Sequence, residues 1–253
     1  MAEAILTLPV GHLIKAGNYS LVPGIKALEY KLPGEIFGRE HEFIFHSNIG
    51  IVQKEFLSYF DGLSGFLKKN SFKLFSFDLG PAAESVAYRP DFHYTAMSRP
   101  LDKKRLRQLI SSRLAYVRRG FKGKIGFENL NYFAGTAYGP VCDPDFICEV
   151  IRDFDAYLVL DLAHALISAQ NMRMELYSYL SSLPLERVIE VHLSGPRRLK
   201  GKWFDAHRLP STADLKVLDF VRARLTGSYY LTIEYYKDFS RIQNVYGNLR
   251  RRK

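Results

Sequence analysis

A single (β/α)8 barrel spanning residues 1–253 is the fold that this sequence predicts, on three observations. Eight short apolar runs are spread along the chain, and most are separated by segments with apolar residues at three- and four-residue intervals. Runs such as YLVLDL are almost continuously apolar, as strands covered on both faces must be. The 253-residue length suits one such barrel, and no repeat, low-complexity stretch or Pro/Gly-rich linker divides it.

The expected strands, in order, are Ile5–Pro9, Ile25–Lys31, Glu42–His46, Phe72–Asp78, Lys124–Glu128, Ala156–Asp161, Val188–His192 and Tyr229–Glu234. Helical periodicity runs from Gln53 to Lys69, Lys103 to Arg119, Pro144 to Phe154, Met174 to Ser181 and Asp214 to Leu225. Alternation of the two implies parallel strands joined by crossovers. A doubly wound open sheet would also alternate, but it gathers ligands at one switch point. A barrel requires eight strands and collects its functional groups at all their carboxyl ends.

Nine titratable residues sit at those ends or just beyond: His46, Asp78, Glu128, Asp161, His164, His192, Asp205, His207 and Glu234. Each of the last six strands finishes on one. Five carboxylates sharing a partly dry barrel mouth cannot all stay ionised without compensation. Two or three divalent cations would supply it, with four neutral imidazoles completing the coordination and Glu128 placed to bridge two ions. Spacing supports this: Asp161-x-x-His164 brings an imidazole round on the next turn, and Asp205-x-His207 alternates two donors onto one side of an extended loop. No general acid or base is left to assign, because every candidate is already a ligand. His12 follows the first strand, His41 precedes the third and belongs to the wrong end, and His93 lies in a long loop after the fourth.

Composition bounds the surroundings. With 47% hydrophobic and 14% aromatic residues the chain buries a large core, which excludes disorder. The net charge of +10, ending in Arg250, Arg251, Arg252 and Lys253, suits acidic peptides or nucleic acid. Cys142 and Cys148 fit neither a zinc pair nor a redox motif, so a reducing cytoplasm is expected. No leader and no run of the ~18 apolar residues needed to cross a bilayer is read, so no membrane partner is expected. The connection from Gly80 to Pro100 is the expected lid, with aromatics Phe92, Tyr94, Tyr132, Phe133 and Tyr138 in the loops over the mouth.

The order of the nine residues resembles that of the endonuclease IV and xylose-isomerase-like barrels. Within that superfamily FENLNYF, LDLAHALISAQN, EVHLSG, FDAH and TIEYY are most similar to the multinuclear non-heme iron-dependent oxidases, whose pattern is EN-x-S-x-Y, LDVNN, HLAG, D-x-H and E-x-D. This chain has Asp78 where both the oxidases and endonuclease IV have histidine. It has His164 where the oxidases have asparagine, so LDLAHA leans toward endonuclease IV. Resemblance to the oxidases implies a di- or tri-iron centre; a His/carboxylate site without thiolates suits zinc or manganese as well. The resemblance also implies oxygen-dependent modification of a residue such as cysteine in a ribosomally made peptide, often with a partner protein presenting it. The alternatives are a metal-dependent phosphodiester hydrolase acting on damaged DNA and a non-catalytic metal-binding scaffold. A sugar isomerase would need a pocket lysine beside a carboxylate, and none is nominated.

Overall fold

The computed structural model describes residues 2–11, 13–89, 93–135 and 137–251. His12, Phe92, Arg252 and Lys253 lie outside the described residues.

Among the described residues eight parallel strands close into a barrel. These are β1 (Ala4–Val10), β2 (Ala27–Tyr30), β3 (Glu42–Ser47), β4 (Leu74–Asp78), β7 (Lys124–Glu128), β8 (Tyr157–Asp161), β9 (Val188–Leu193) and β12 (Tyr229–Ile233). All eight coincide with the runs expected from sequence. Every neighbouring pair is parallel, and β1 closes the ring by pairing with both β2 and β12.

The helices follow their local signals. α1 (Phe56–Lys69) buries Phe56, Phe60, Leu63 and Leu67 along one stripe. α2 (Lys103–Gly120) starts where the Asp102 carboxylate accepts from the Arg105 amide at 2.8 Å. α3 (Pro144–Asp153) has Asp143 as cap and Pro144 in the first turn, and α6 (Thr212–Arg222) opens with a capping box of Ser211 and Asp214. α5 (Leu176–Ser181) is short.

Three features were not read from the sequence. α4 (Leu162–Met172) and α7 (Phe239–Arg251) are helices in segments where no periodicity was expected. A hairpin of β5 (Val86–Tyr88) and β6 (Tyr94–Ala96) folds within the expected lid. A second hairpin, β10 (Gly195–Leu199) with β11 (Lys202–Arg208), replaces the extended loop expected to carry Asp205 and His207. The connections β1–β2 and β2–β3 contain no α-helix among the described residues. α7 lies against β1 and β12, where the Tyr246 hydroxyl donates to the Thr7 carbonyl and accepts from the Ile233 amide.

The apolar core fills two places. A belt between barrel and helices includes Phe60, Phe75, Phe77 and Phe127. A smaller cluster of Ala27, Ile44, Leu74, Val159 and Tyr230 plugs the barrel interior near the strand starts. Gly126 is obligatory above that plug, since a Cβ there would stand 2.8 Å from Val159 Cγ2. The polar site rests on this floor.

Candidate metal centre

β3, β4, β7, β8 and β9 each carry one array residue at or near their carboxyl ends, Glu234 follows β12, and the nine residues expected at the mouth form one unbroken array. Glu128 is its hub. One of its oxygens lies 3.1 Å from His46 Nε2 and the other 2.9 Å from His192 Nδ1. From His192 Nδ1 it is 3.8 Å to Glu234 Oε2, then 3.2 Å to His207 Nε2, 3.3 Å to Asp205 Oδ2 and 3.5 Å to His164 Nε2. Among the described residues three groups have donor atoms within 4.8 Å of one another: Glu29, His46 and His192 lie deepest, and above them are His46, Asp78 and Glu128, and Glu128, Asp161, His192 and Glu234. The last two share Glu128, the arrangement expected of a bridging carboxylate. His164, Asp205 and His207 form a third corner nearer solvent.

Local structure explains each position. Asp161 ends β8 and caps α4: its Oδ1 accepts from the His164 amide at 2.6 Å, leaving Oδ2 buried and unpartnered. Asn129, beside Glu128, clamps the Asp161 backbone through its side-chain amide and, through its own carbonyl, accepts from His164 Nδ1 at 2.8 Å. That bond assigns a ring proton to Nδ1 and, in the neutral ring, leaves the lone pair of Nε2 free for a metal beside Asp205. Ser168 and Asn171 tie α4 to the loop after β7 through Leu130 and Tyr132, which accounts for the SAQN segment. His207 has φ 41°, in the left-handed region, and this turns its ring toward Glu234 and Asp205.

Burial and charge act against each other here. Burial, reinforced by Glu128, pushes the Asp78 carboxyl up to about 7 against the pull of His46 and His164. Burial also raises Asp161 to about 7, with Asp205 and Glu128 adding repulsion. Burial likewise opposes ionisation of Glu128, but His46 and His192 outweigh it and hold the group well below the usual range. His207 is pulled down by burial and pushed further up by Glu234 and Asp205, to about 9. Without metal, protons on the imidazoles must balance the carboxylates, and cations are the other way to do so.

Three residues of this site were missed. Glu29 and Glu190 lie fully buried one layer below the mouth, 3.7 and 3.3 Å from His192 Nε2. Both Glu29 oxygens, Glu190 Oε2 and His192 Nε2 have no hydrogen-bond partner among the described residues. Thr232 donates to the other Glu190 oxygen at 2.8 Å. Lys31 is the third: its ammonium pairs with Glu234 and lies 3.8 Å from Glu29. The absence of a pocket lysine in the sequence reading is therefore corrected. Period-two spacing was the available signal, because Glu29-x-Lys31 and Glu190-x-His192 each put two polar side chains on the inward face of a strand.

His41 and His93 stay outside the array. His41 bonds the Gly38 carbonyl before β3, as its place predicted, and His93 stacks on Phe133. A cavity of about 880 Å³ opens over the centre; Tyr94 and Tyr138 line it beside the ligand set, as do Lys31 and Arg197. No described helix is long and apolar enough to cross a membrane.

The donor set fits resident metal ions. It combines imidazoles and carboxylates without thiolate, and the buried oxygens of Asp161, Glu29 and Glu190 that lack hydrogen-bond partners leave lone pairs that a cation would take.

Comparison with known proteins agrees on architecture and lineage. The 3-keto-D-glucoside 4-epimerase YcjR of E. coli superposes with TM-score 0.62 at 12% identity, over 99% of this chain and 100% of that one. Endonuclease IV of Thermus thermophilus gives 0.59 at 14% identity, over 96% and 99%. A xylose isomerase-like TIM barrel protein of Mycobacterium smegmatis, in complex with magnesium, gives 0.53 at 12% identity, over 98% and 99%. At these identities the likeness is one of fold. In sequence, a UPF0276 protein of Acaryochloris marina is 26% identical over 101 residues, 40% of this chain and 37% of that protein. A UPF0276 protein of Vibrio vulnificus is 30% identical over 104 residues, 40% and 36% of the two chains. The chain thus spans less than two fifths of the length of these curated relatives. The family of RiPP precursor modification enzymes MbnB/TglH/ChrH, which act on ribosomally made peptides, matches residues 59–252. That match takes in eight of the nine array residues and most of the chain: the protein belongs to the MbnB/TglH/ChrH family of RiPP precursor modification enzymes.

Proposed function

We propose that this protein holds two or three iron ions at the barrel mouth and uses dioxygen to modify a residue such as cysteine in a precursor peptide, with a partner protein presenting the peptide. The observation that carries this reading is the continuous array around Glu128 in a peptide-modifying family. His46, Asp78 and Glu128 would hold one ion; Glu128, Asp161, His192 and Glu234 a second; His164, Asp205 and His207 a third. Iron there would supply the redox electrons and open coordination positions that oxygen chemistry requires. Asp78, a carboxylate where histidine was expected by resemblance, adds a hard donor and one more negative charge to the first position.

The chain's own groups prepare that site. Glu190, with Thr232 behind it, faces His192 Nε2 and so directs Nδ1 at the centre. Asn129 does the same for His164. Lys31 holds Glu234 in place and stays protonated, because Glu234 and Glu29 outweigh the burial that would discharge it. Tyr236 donates to the same Glu234 oxygen at 3.2 Å. The cavity is deep enough for one peptide side chain to reach the centre while the rest of the peptide stays on the rim.

Elemental analysis of anaerobically purified protein, with Mössbauer spectra, tests the reading. Two or three irons per chain are expected, and no more than trace metal would end it. Zinc or manganese alone would redirect attention to hydrolysis, for which nicking of abasic DNA that needs metal but no oxygen is the assay.

A further inference from the structure

The β10–β11 hairpin is a strongly basic segment at the edge of the mouth. Between Gly195 and Arg208 it carries Arg197, Arg198, Lys200, Lys202 and Arg208, against Asp205 as the sole acid. Its shape is set. Leu199 pairs with Lys202 across a two-residue turn in which Lys200 and Gly201 have φ 48° and 80°, the left-handed pair that matches strand twist. β11 packs against α4, which Asp161 caps.

Position gives the charge its meaning. β11 carries Asp205 and His207, while Arg197, Leu199 and Phe204 line the cavity, so the basic strip begins at the wall of the metal centre. Lys31 and Lys237 line the same cavity, from the β2 and β12 sides. Residues 197–200 are exposed, and Arg197, Arg198 and Lys200 have no acidic partner among the described residues. Leu199 is 46% exposed beside them and Tyr88, also lining the cavity, is 62% exposed, so the rim offers apolar contacts between its cations. The hairpin is a sheet of two strands, which leaves the outer edge of β10 without a strand partner among the described residues.

We propose that this hairpin is the docking strip for an extended, acidic segment of the peptide substrate. The segment lies along β10, pairs main chain to main chain with its free edge, and places its carboxylates on Arg197, Arg198 and Lys200. The residue next in sequence then descends past Phe204 into the cavity. This rests on the reading above that the substrate is a peptide. An edge strand offers donors and acceptors at the repeat of an extended polypeptide, which favours a peptide over the phosphates of a nucleic acid. The acid floor and basic rim also sort charges: the carboxylates are held at the rim, away from the ligand set below.

Fluorescence anisotropy tests this with three labelled probes of matched length: a peptide alternating Glu and Ser, one alternating Gln and Ser, and single-stranded DNA. The full chain is used, with and without loaded metal. The Glu-Ser peptide is expected to bind best, more weakly as salt rises, and the triple variant R197E/R198E/K200E to lose at least about tenfold in affinity. These three side chains are exposed, so the variant should keep the wild-type circular dichroism and melting temperature. The control K68E/K69E reverses two exposed charges where α1 ends, at the opposite end of the barrel, and should leave binding unchanged. Equal binding of the Glu-Ser and Gln-Ser peptides, an unaffected triple variant, or binding of DNA alone would overturn the proposal. Binding in the metal-free protein separates the two readings: a chain that holds no metal yet binds the acidic peptide through the hairpin removes the oxygen chemistry and keeps the docking strip.

Discussion

The two ends of the barrel interior are equally dry and chemically opposite. At the strand starts, Ala27, Ile44, Leu74 and Val159 pack with no exposed surface, and at the strand ends His192, Asp161, Glu128 and His46 are buried to nearly the same degree. The lower layer gains from burial, since each apolar side chain leaves water at no polar cost. The upper layer loses by it, since ionised groups surrender hydration and recover only part of it from one another. One set of strands thus carries a stabilising floor and a strained mouth. The floor is what permits the mouth to be polar.

Substitutions at the two ends sharpen this contrast. The largest effect is expected from Glu128→Gln, which takes the bridging carboxylate from both buried groups. Metal content should fall to less than half of wild type by elemental analysis, and the metal-free melting temperature should fall as well, because His46 and His192 lose the buried carboxylate that they face. A metal-free variant that melts at or above wild type would show that the imidazoles do not need Glu128 as their counter-charge. Next comes Leu74→Ala in the floor, expected to cost about 2–5 kcal/mol in denaturant unfolding with metal stoichiometry unchanged in the folded protein. Loss of metal from that variant while it is still folded would mean that the two ends are not separable.

A smaller effect belongs to the layer between them. Glu190→Gln keeps the size of the side chain and removes the charge facing His192 Nε2, so metal affinity should fall by roughly 10–100-fold with the fold intact. Titration of metal-free protein with Co(II), followed by its ligand-field spectrum, measures this. Wild-type affinity with an unchanged spectrum would leave Glu190 a packing residue only.

The gentlest test is pH. Asp78 and Asp161 have pKa values raised from 3.8 to about 7, and His207 from 6.5 to about 9. A raised value contributes stability below the unfolded pKa that is lost as pH climbs through the folded one. The metal-free protein should therefore lose melting temperature progressively from about pH 5 to 9. Glu128 and Glu234, lowered by their imidazole and Lys31 neighbours, act in the opposite sense and only below the usual carboxylate range. Metal needs deprotonated ligands, so loaded protein should show a flat or rising profile over the same window. Parallel profiles with and without metal would place the titrating groups outside the centre.

Local pattern and tertiary closure contributed different things to this site. Asp161-x-x-His164 and Asp205-x-His207 are legible because neighbours in sequence settle which side chains share a face, and the strand ends are legible because apolar runs stop there. α4 and α7 were passed over although their buried faces are present in the sequence. LAHALISAQNM is masked by its own ligand motif, and FSRIQNVYGNLRR spaces its buried Ile242, Tyr246 and Leu249 among polar residues.

Sequence by itself determined the eight strands, their parallel order of use and nine of the side chains at the mouth, because burial periodicity is a local property. Tertiary structure alone decided that Lys31 pairs with Glu234 203 positions away, and that Glu29 and Glu190 stand beneath His192. Those relations depend on barrel closure and register, which juxtapose residues that share no local pattern.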